Sequence, residues 1–134
     1  MSSDLPAFYF RVRENGAFVY RVDTENRQRR IEMDQIAVVN IRNGQIKPHG
    51  DHRLTPVEMA EIERWMTERK EELARRQIDD IRRTVDHLNL TAHWAQSSAT
   101  EADLDKVTDE LLLAMHDLRM VLVRKKADRL MKKD

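Results

Sequence analysis

The side chains with the clearest potential for chemistry are histidines and a carboxylate in a loop of the first half of the chain. His49 and His52 flank Asp51, and three such groups could ligate a metal. The chain has no cysteine and this stretch lacks a fixed helical spacing, so the pattern favours solvent-exposed loop histidines. We therefore predict no metal site and no cofactor.

The remaining histidines do not have the spacing that catalysis requires. His87 and His93 are six residues apart, which is a poor ligand spacing on one helix face. His116 and Asp117 are adjacent, and on a helix their side chains would point about 100° apart. The sequence has no serine-nucleophile motif, no glycine-rich phosphate loop and no His-Glu-x-x-His motif. We predict a non-enzymatic protein with no catalytic residues.

Two clusters of basic residues could bind phosphate. The first follows the second predicted strand and comprises Arg27, Arg29 and Arg30. The second closes the chain and comprises Arg124, Lys125, Lys126, Arg129, Lys132 and Lys133. The second cluster is either a tail that binds nucleic acid or a membrane surface, or a cationic helix end that complements the helix dipole. We favour the structural interpretation, because 24 basic and 24 acidic residues give no net charge to attract nucleic acid.

The composition indicates long helices with much exposed surface. Charged residues make up 36% of the 134 residues and aromatic residues only 5%, which suits helices with a narrow apolar seam better than a compact globule. The first residues lack the pattern of a signal peptide, and no apolar run approaches the roughly 18 residues of a membrane span. We expect a soluble, cytoplasmic protein.

The distribution of glycine and proline divides the chain into two parts. All three glycines and all three prolines lie within the first 56 residues. Because these residues mark turns, the asymmetry predicts a small β-rich unit at 1–54 and a helical hairpin at 55–134. The predicted fold class is α+β: an antiparallel β-meander of three to four short strands, followed by a long, antiparallel, coiled-coil-like two-helix hairpin.

Alternating apolar residues predict the strands. The alternation over 8–12 and 18–22 predicts a hairpin, and we favour a three-residue loop with Gly16 in the left-handed conformation. That loop would put large apolar residues opposite one another, with Val12 facing Phe18 and Phe10 facing Tyr20. Ile31 and Met33 are expected to begin a third strand, 36–41 forms a strand, and 45–47 returns across the Asn43-Gly44 turn.

Capping signals and apolar periodicity predict two helices. Helix 1 is expected at about 56–92, with Thr55 as N-cap, Pro56 at its first position and Glu58 completing a capping box. Its apolar stripe is interrupted by polar residues at 67–72. Helix 2 is expected at about 101–131, with Thr100 and Asp103 as a second capping box, and 91–99 as the connection. Its seam comprises Leu104, Val107, Leu111, Ala114, Leu118 and Val121.

Helix 2 carries more apolar surface than one partner helix can cover. Off its seam lie Leu112, Leu113, Met115, Met120, Leu122 and Val123. Either the β unit folds back over them or a second chain does, and we favour a homo-oligomer, a dimer or larger, with these residues at its interface. The leading hypothesis is an interaction or assembly protein that self-associates and holds another protein through its β unit or hairpin tip. The alternative is a small nucleic-acid-binding regulator that uses the basic C-terminal end.

Overall fold

A computed structural model describes residues 5–23 and 30–132, so the predicted phosphate-binding residues Arg27, Arg29 and Lys133 lie outside the described residues. Four antiparallel strands form one sheet in the order β1-β2-β3-β4, and two long helices follow. The strands are β1 (Phe8–Arg13), β2 (Gly16–Asp23), β3 (Glu32–Asn40) and β4 (Gln45–Pro48). The helices are α1 (Pro56–Ser97) and α2 (Glu101–Lys132). The predicted α+β class, with a meander followed by two long helices, is confirmed.

Packing divides the chain into two compact units. Unit 1 comprises 1–79 and unit 2 comprises 80–134, so the division falls within α1. The β-rich segment gives way to helix at Pro56, where the sequence placed the change of element type. Helix α1 therefore contributes to both units.

The β1–β2 hairpin has a tighter turn than the sequence pattern suggested. Arg13 lies opposite Gly16, which leaves Glu14 and Asn15 as a two-residue turn, and Phe10 lies opposite Val19. The predicted three-residue loop is therefore wrong. The observed register places Phe10 and Val19 on the face that packs on α1, where the Phe10 ring stacks on Trp65 with a centroid separation of 4.7 Å. Packing against the helix thus outweighs the matching of large side chains across the hairpin.

Gly16 is needed for close packing of two backbones. A Cβ atom at Gly16 would lie 1.9 Å from the carbonyl oxygen of Val39 on β3. Gly16 is not among the glycines with positive φ, whereas Gly44 in the β3–β4 turn has a φ of 75°. The absence of a side chain at Gly16 therefore lets β2 and β3 approach, which is a different role from the predicted left-handed turn.

The core of unit 1 lies between one face of the sheet and the first turns of α1. Small and branched residues from β2 and β3 pack there with Ile62 and Met66. Val19 lies opposite Ala37 whereas Tyr20 lies opposite Gln35, so Ile36 is an extra residue in the β3 ladder. This bulge lets the consecutive residues Ile36 and Ala37 both be buried, although strict alternation would point one of them outward.

Both helices begin with the predicted capping boxes. The Thr55 hydroxyl accepts a hydrogen bond from the Glu58 N–H at 3.1 Å, and the Glu58 carboxylate accepts one from the Thr55 N–H at 3.0 Å. The Asp103 N–H likewise donates to the Thr100 hydroxyl at 3.1 Å, and α2 begins at Glu101. These bonds satisfy N–H groups that the first turn of a helix cannot pair internally.

Helix α1 is continuous through its polar stretch at 67–72 and ends five residues later than predicted. The connection is 98–100, where 91–99 was expected. The hydroxyls of Thr91 and Ser97 donate to the carbonyl oxygens of His87 and His93, four residues earlier, so these polar side chains are accommodated within the helix.

Glu58 joins three elements of unit 1. Its carboxylate is buried, and it lies 2.9 Å from Nε2 of His52 and 3.8 Å from Nε of Arg21 on β2. Burial alone would raise the pKa of Glu58, but the Thr55 N–H bond, His52 and Arg21 together outweigh that effect and lower it. Of the two loop histidines predicted to be solvent-exposed, His49 is exposed, whereas His52 is partly buried, with 34% of its side chain accessible, and is bonded to Glu58.

Candidate self-association surface

Helix α2 contains no buried residue along its described length, although its middle is rich in apolar side chains. All six residues predicted for an oligomer interface are more than half exposed: Leu112, Leu113, Met115, Met120, Leu122 and Val123. The seam residues Leu118 and Val121 are also exposed. A continuous apolar helix surface of this kind is unusual for a monomeric protein and typical of an interaction surface.

Within unit 2, the interhelical seam is partly covered next to the turn. Trp94 on α1 and Leu104, Val107 and Leu111 on α2 are half-buried there. Residues of both helices line a cavity of about 220 Å³ at this end. Farther from the turn the seam is exposed, and Val85 has 52% of its surface accessible. The predicted pairing along most of the helix length therefore does not bury the seam residues.

A wider groove, which we call the α2 groove, lies beside the exposed part of the seam. Its volume is about 490 Å³, and it is lined by Leu88 of α1 and by Leu112, Met115, His116, Leu118, Arg119, Leu122 and Val123 of α2. Four of the six predicted interface residues thus share one groove. Leu113 and Met120 do not line the groove. Each follows a groove residue, Leu112 or Arg119, and so points about 100° away from it around the helix.

The charges of α2 are segregated along the helix. Residues 101–110 include five acids and one base, whereas 119–132 include six bases and one acid. In α1, Arg64 pairs with Glu61 and Glu68, and Glu72 pairs with Arg75 and Arg76. No comparable ion pair occurs among the described residues of α2. Apart from Asp103, whose carboxylate accepts the Thr100 N–H in the capping box, the α2 charges are therefore available to pair with another molecule.

The described members of the predicted phosphate-binding cluster are all exposed, but they do not share one face. They are Arg124, Lys125, Lys126, Arg129 and Lys132. Since successive residues turn by about 100°, Arg124 and Lys126 lie on nearly opposite sides of α2. Lys126 and Arg129 continue the face of the α2 groove, so the cluster is divided between that face and the rest of the helix end.

The groove offers little reactive chemistry. His116 and Arg119 are its polar lining residues, and the adjacent Asp117 does not line it. In residues 5–23 and 30–132, no group of histidine and carboxylate side chains is arranged to hold a metal ion. Within the same ranges, neither helix has the length and apolar character needed to cross a membrane. The groove is suited to packing apolar side chains.

Unit 1 has a smaller, basic depression between the β1–β2 and β3–β4 turns. Its volume is about 260 Å³, and its charged lining residues are Arg13, Glu14, Arg42 and Arg69. The Ile41 N–H donates to the Asn15 carbonyl at 2.8 Å, which holds the two turns together. The three guanidinium groups form no ion pair with a carboxylate of the described residues. The depression can accept an anionic group.

Comparison of the chain with protein-family models, curated proteins and solved structures finds no match. The basic depression has no signature in the sequence, because Arg13, Arg42 and Arg69 come from three distant segments. The charge segregation of α2 is visible in the order of acids and bases in the sequence. That these charges lie on a helix with no buried residue is known only from the structure.

Proposed function

We propose that the protein is a non-enzymatic assembly protein that self-associates through α2. The observation that carries this proposal is that none of the 32 residues of α2 is buried, although its central part is apolar. Leaving that surface in water costs free energy, and a partner that covers it would recover roughly 25 cal/mol for each Å² of apolar surface buried.

A second copy of the chain is the partner that the surface suits best. Helix α2 presents acids at one end, apolar residues in the middle and bases at the other end. Such a helix is complementary to itself when two copies run in opposite directions, because each acidic end then meets a basic end. Twofold symmetric pairing uses the same surface on both copies and is the commonest arrangement of homo-oligomers.

Substitution within the α2 groove tests this function. Leu112→Glu adds a charge inside the groove and removes no buried core contact, because Leu112 is 60% exposed. Leu90→Glu is a matched control, since Leu90 is a similarly exposed leucine that does not line the groove. We expect Leu112→Glu to shift the solution mass to that of one chain, and Leu90→Glu to leave it unchanged. Equal behaviour of the two variants would contradict the assignment of the surface.

The basic depression of unit 1 supports a second contact in the same function, with an acidic segment of another protein. Arg13, Arg42 and Arg69 form no ion pair with a described carboxylate, although the Arg13 guanidinium lies 5.1 Å from the centroid of the Phe18 ring. Their positive charge beside the apolar side chains of Ile41 and Leu73 suits glutamate- or aspartate-rich peptides. A polyglutamate peptide is a suitable probe. We expect Arg42→Glu to weaken its binding, whereas Arg53→Glu, outside the depression, should not. Equal binding to both variants would remove this contact from the proposal.

Binding of nucleic acid is a second candidate function, favoured by the exposure of the basic end of α2. Residues 124–134 contain six bases and two acids. Neutralisation of four phosphates by that excess would give a log-log salt slope of about −3.6 per chain on duplex DNA. We expect weak binding that is lost at physiological salt. Tight binding at that salt, abolished by deletion of 124–134, would favour the nucleic-acid-binding function over assembly.

A further inference from the structure

We infer that two copies of the chain pair in antiparallel orientation along α2, with Asp105 of each copy facing Arg129 of the other and Leu112 facing Leu122. This inference rests on the proposed self-association and specifies its geometry. In this arrangement the α2 groove of each copy packs against the same groove of the other copy.

Two rows of residues with a spacing of seven define the contact face. The first row is Asp105, Leu112, Arg119 and Lys126, and the second, three residues on, is Thr108, Met115, Leu122 and Arg129. A spacing of seven returns to nearly the same side of a helix, so each row forms a stripe suited to helix pairing. Leu112, Met115, Arg119 and Leu122 all line the α2 groove, which shows that the two stripes lie together in the structure.

The chemistry along the stripes selects the orientation. Both stripes begin with a polar or acidic residue and end with a base. In antiparallel pairing centred on residue 117, Asp105 meets Arg129 and Leu112 meets Leu122, and each pair occurs twice by symmetry. In the same alignment Met115 meets Arg119, whose aliphatic stem can cover the thioether while its charge remains in water.

Parallel pairing in register would place like charges together. Asp105 would face Asp105, and Arg119 and Lys126 would each face their own copies. Like charges at a contact oppose association, so the parallel arrangement is disfavoured where the antiparallel one is supported. The absence of intrahelical ion pairs in the described part of α2 leaves Asp105 and Arg129 free to make this contact.

Disulfide cross-linking of the full chain tests the orientation. Because the sequence contains no cysteine, only the introduced cysteines can form disulfides. In antiparallel pairing, the double variant Leu112→Cys/Leu122→Cys should form interchain disulfides under mild oxidation, whereas Leu112→Cys alone should not. A disulfide within one chain is excluded, because the two positions are about 15 Å apart along the helix. Efficient cross-linking by Leu112→Cys alone would overturn the antiparallel arrangement.

A charge exchange provides a second readout that does not depend on disulfide geometry. We expect Asp105→Arg and Arg129→Asp each to raise the dimer dissociation constant about tenfold, and the combined variant to restore it. Absence of rescue in the combined variant would overturn the pairing of these two residues. A monomeric wild-type chain would instead refute self-association itself, so the measured mass of the wild type separates the two failures.

Discussion

Removal of the Glu58 carboxylate should destabilise unit 1 far more than removal of a neighbouring surface carboxylate. Glu58 is 5% exposed, and it accepts the Thr55 N–H and contacts His52. Loss of the capping contact costs about 1 kcal/mol, and loss of a hydrogen bond to a charged group costs roughly 1.5–3 kcal/mol. We therefore expect Glu58→Ala to lower the free energy of unfolding of unit 1 by about 3 kcal/mol.

Urea denaturation followed by tryptophan fluorescence measures this change. Trp65 stacks on Phe10 within unit 1, so a Trp94→Phe background makes Trp65 the sole tryptophan of the chain and a reporter of that unit. With an m-value of roughly 2 kcal/mol/M, the midpoint should fall by about 1.5 M urea. The midpoint of Glu58→Gln should lie between those of the wild type and Glu58→Ala, because the glutamine amide oxygen can still accept the Thr55 N–H but carries no charge.

Glu61→Ala is the matched control. Glu61 lies three residues later on α1, and it pairs with Arg64 on the helix surface at 2.7 Å. Exposed pairs of this kind contribute about 0–1 kcal/mol. If Glu58→Ala shifts the midpoint no more than Glu61→Ala does, the role assigned to the buried carboxylate is refuted.

Three further results are expected from unit 1. Because the folded-state pKa of Glu58 is lowered, its stabilising effect is present above the ordinary glutamate pKa and lost as pH falls through the folded value. Denaturation midpoints measured at falling pH should drop less in Glu58→Gln than in the wild type, and parallel curves would contradict this. Gly16→Ala should abolish the cooperative unfolding transition, because the added Cβ would overlap the Val39 carbonyl. Gly44→Ala should cost only about 1 kcal/mol, because no atom lies near its Cβ and only the positive φ of Gly44 is unfavourable for alanine. Thr55→Ala should cost roughly 1 kcal/mol in the same assay, and an unchanged midpoint would show that its hydroxyl does not stabilise the helix start.

The helix starts could be predicted because their determinants are local. A threonine followed three residues later by a carboxylate makes its hydrogen bonds within one turn, and both capping boxes are present in the structure. The Asn43-Gly44 turn is similarly local, since the Asn40 side chain accepts the N–H groups of Arg42 and Asn43. Such features need no knowledge of the remainder of the chain.

The features that sequence patterns missed depend on contacts between distant segments. The β1–β2 register follows from packing of Phe10 on Trp65, which is 55 positions away in the sequence. The contact between His52 and the buried Glu58 was not predicted, because no sequence pattern links these two residues. The bulge at Ile36 likewise buries two consecutive residues, which the alternation of a regular strand does not indicate.

The six residues predicted for an oligomer interface do not all lie on one side of α2. The apolar excess of α2 identified Leu112, Met115, Leu122 and Val123, which share the α2 groove. Leu113 and Met120 lie on another side of the helix, since a count of apolar residues does not distinguish helix faces, and the interface itself stays a prediction. The apolar periodicity predicts that the α1 and α2 seams pair along most of their length, whereas Val85 and Leu118 are exposed in the structure.

The mass of the wild-type protein in solution tests the central claim most directly. Sedimentation equilibrium across the micromolar range gives that mass without assuming a molecular shape. We expect a concentration-dependent rise towards twice the 15.9 kDa chain mass, because in the proposed dimer a second copy covers each α2 groove. A mass of 15.9 kDa at every concentration would show that the exposed α2 surface does not drive self-association, and would contradict the proposed function.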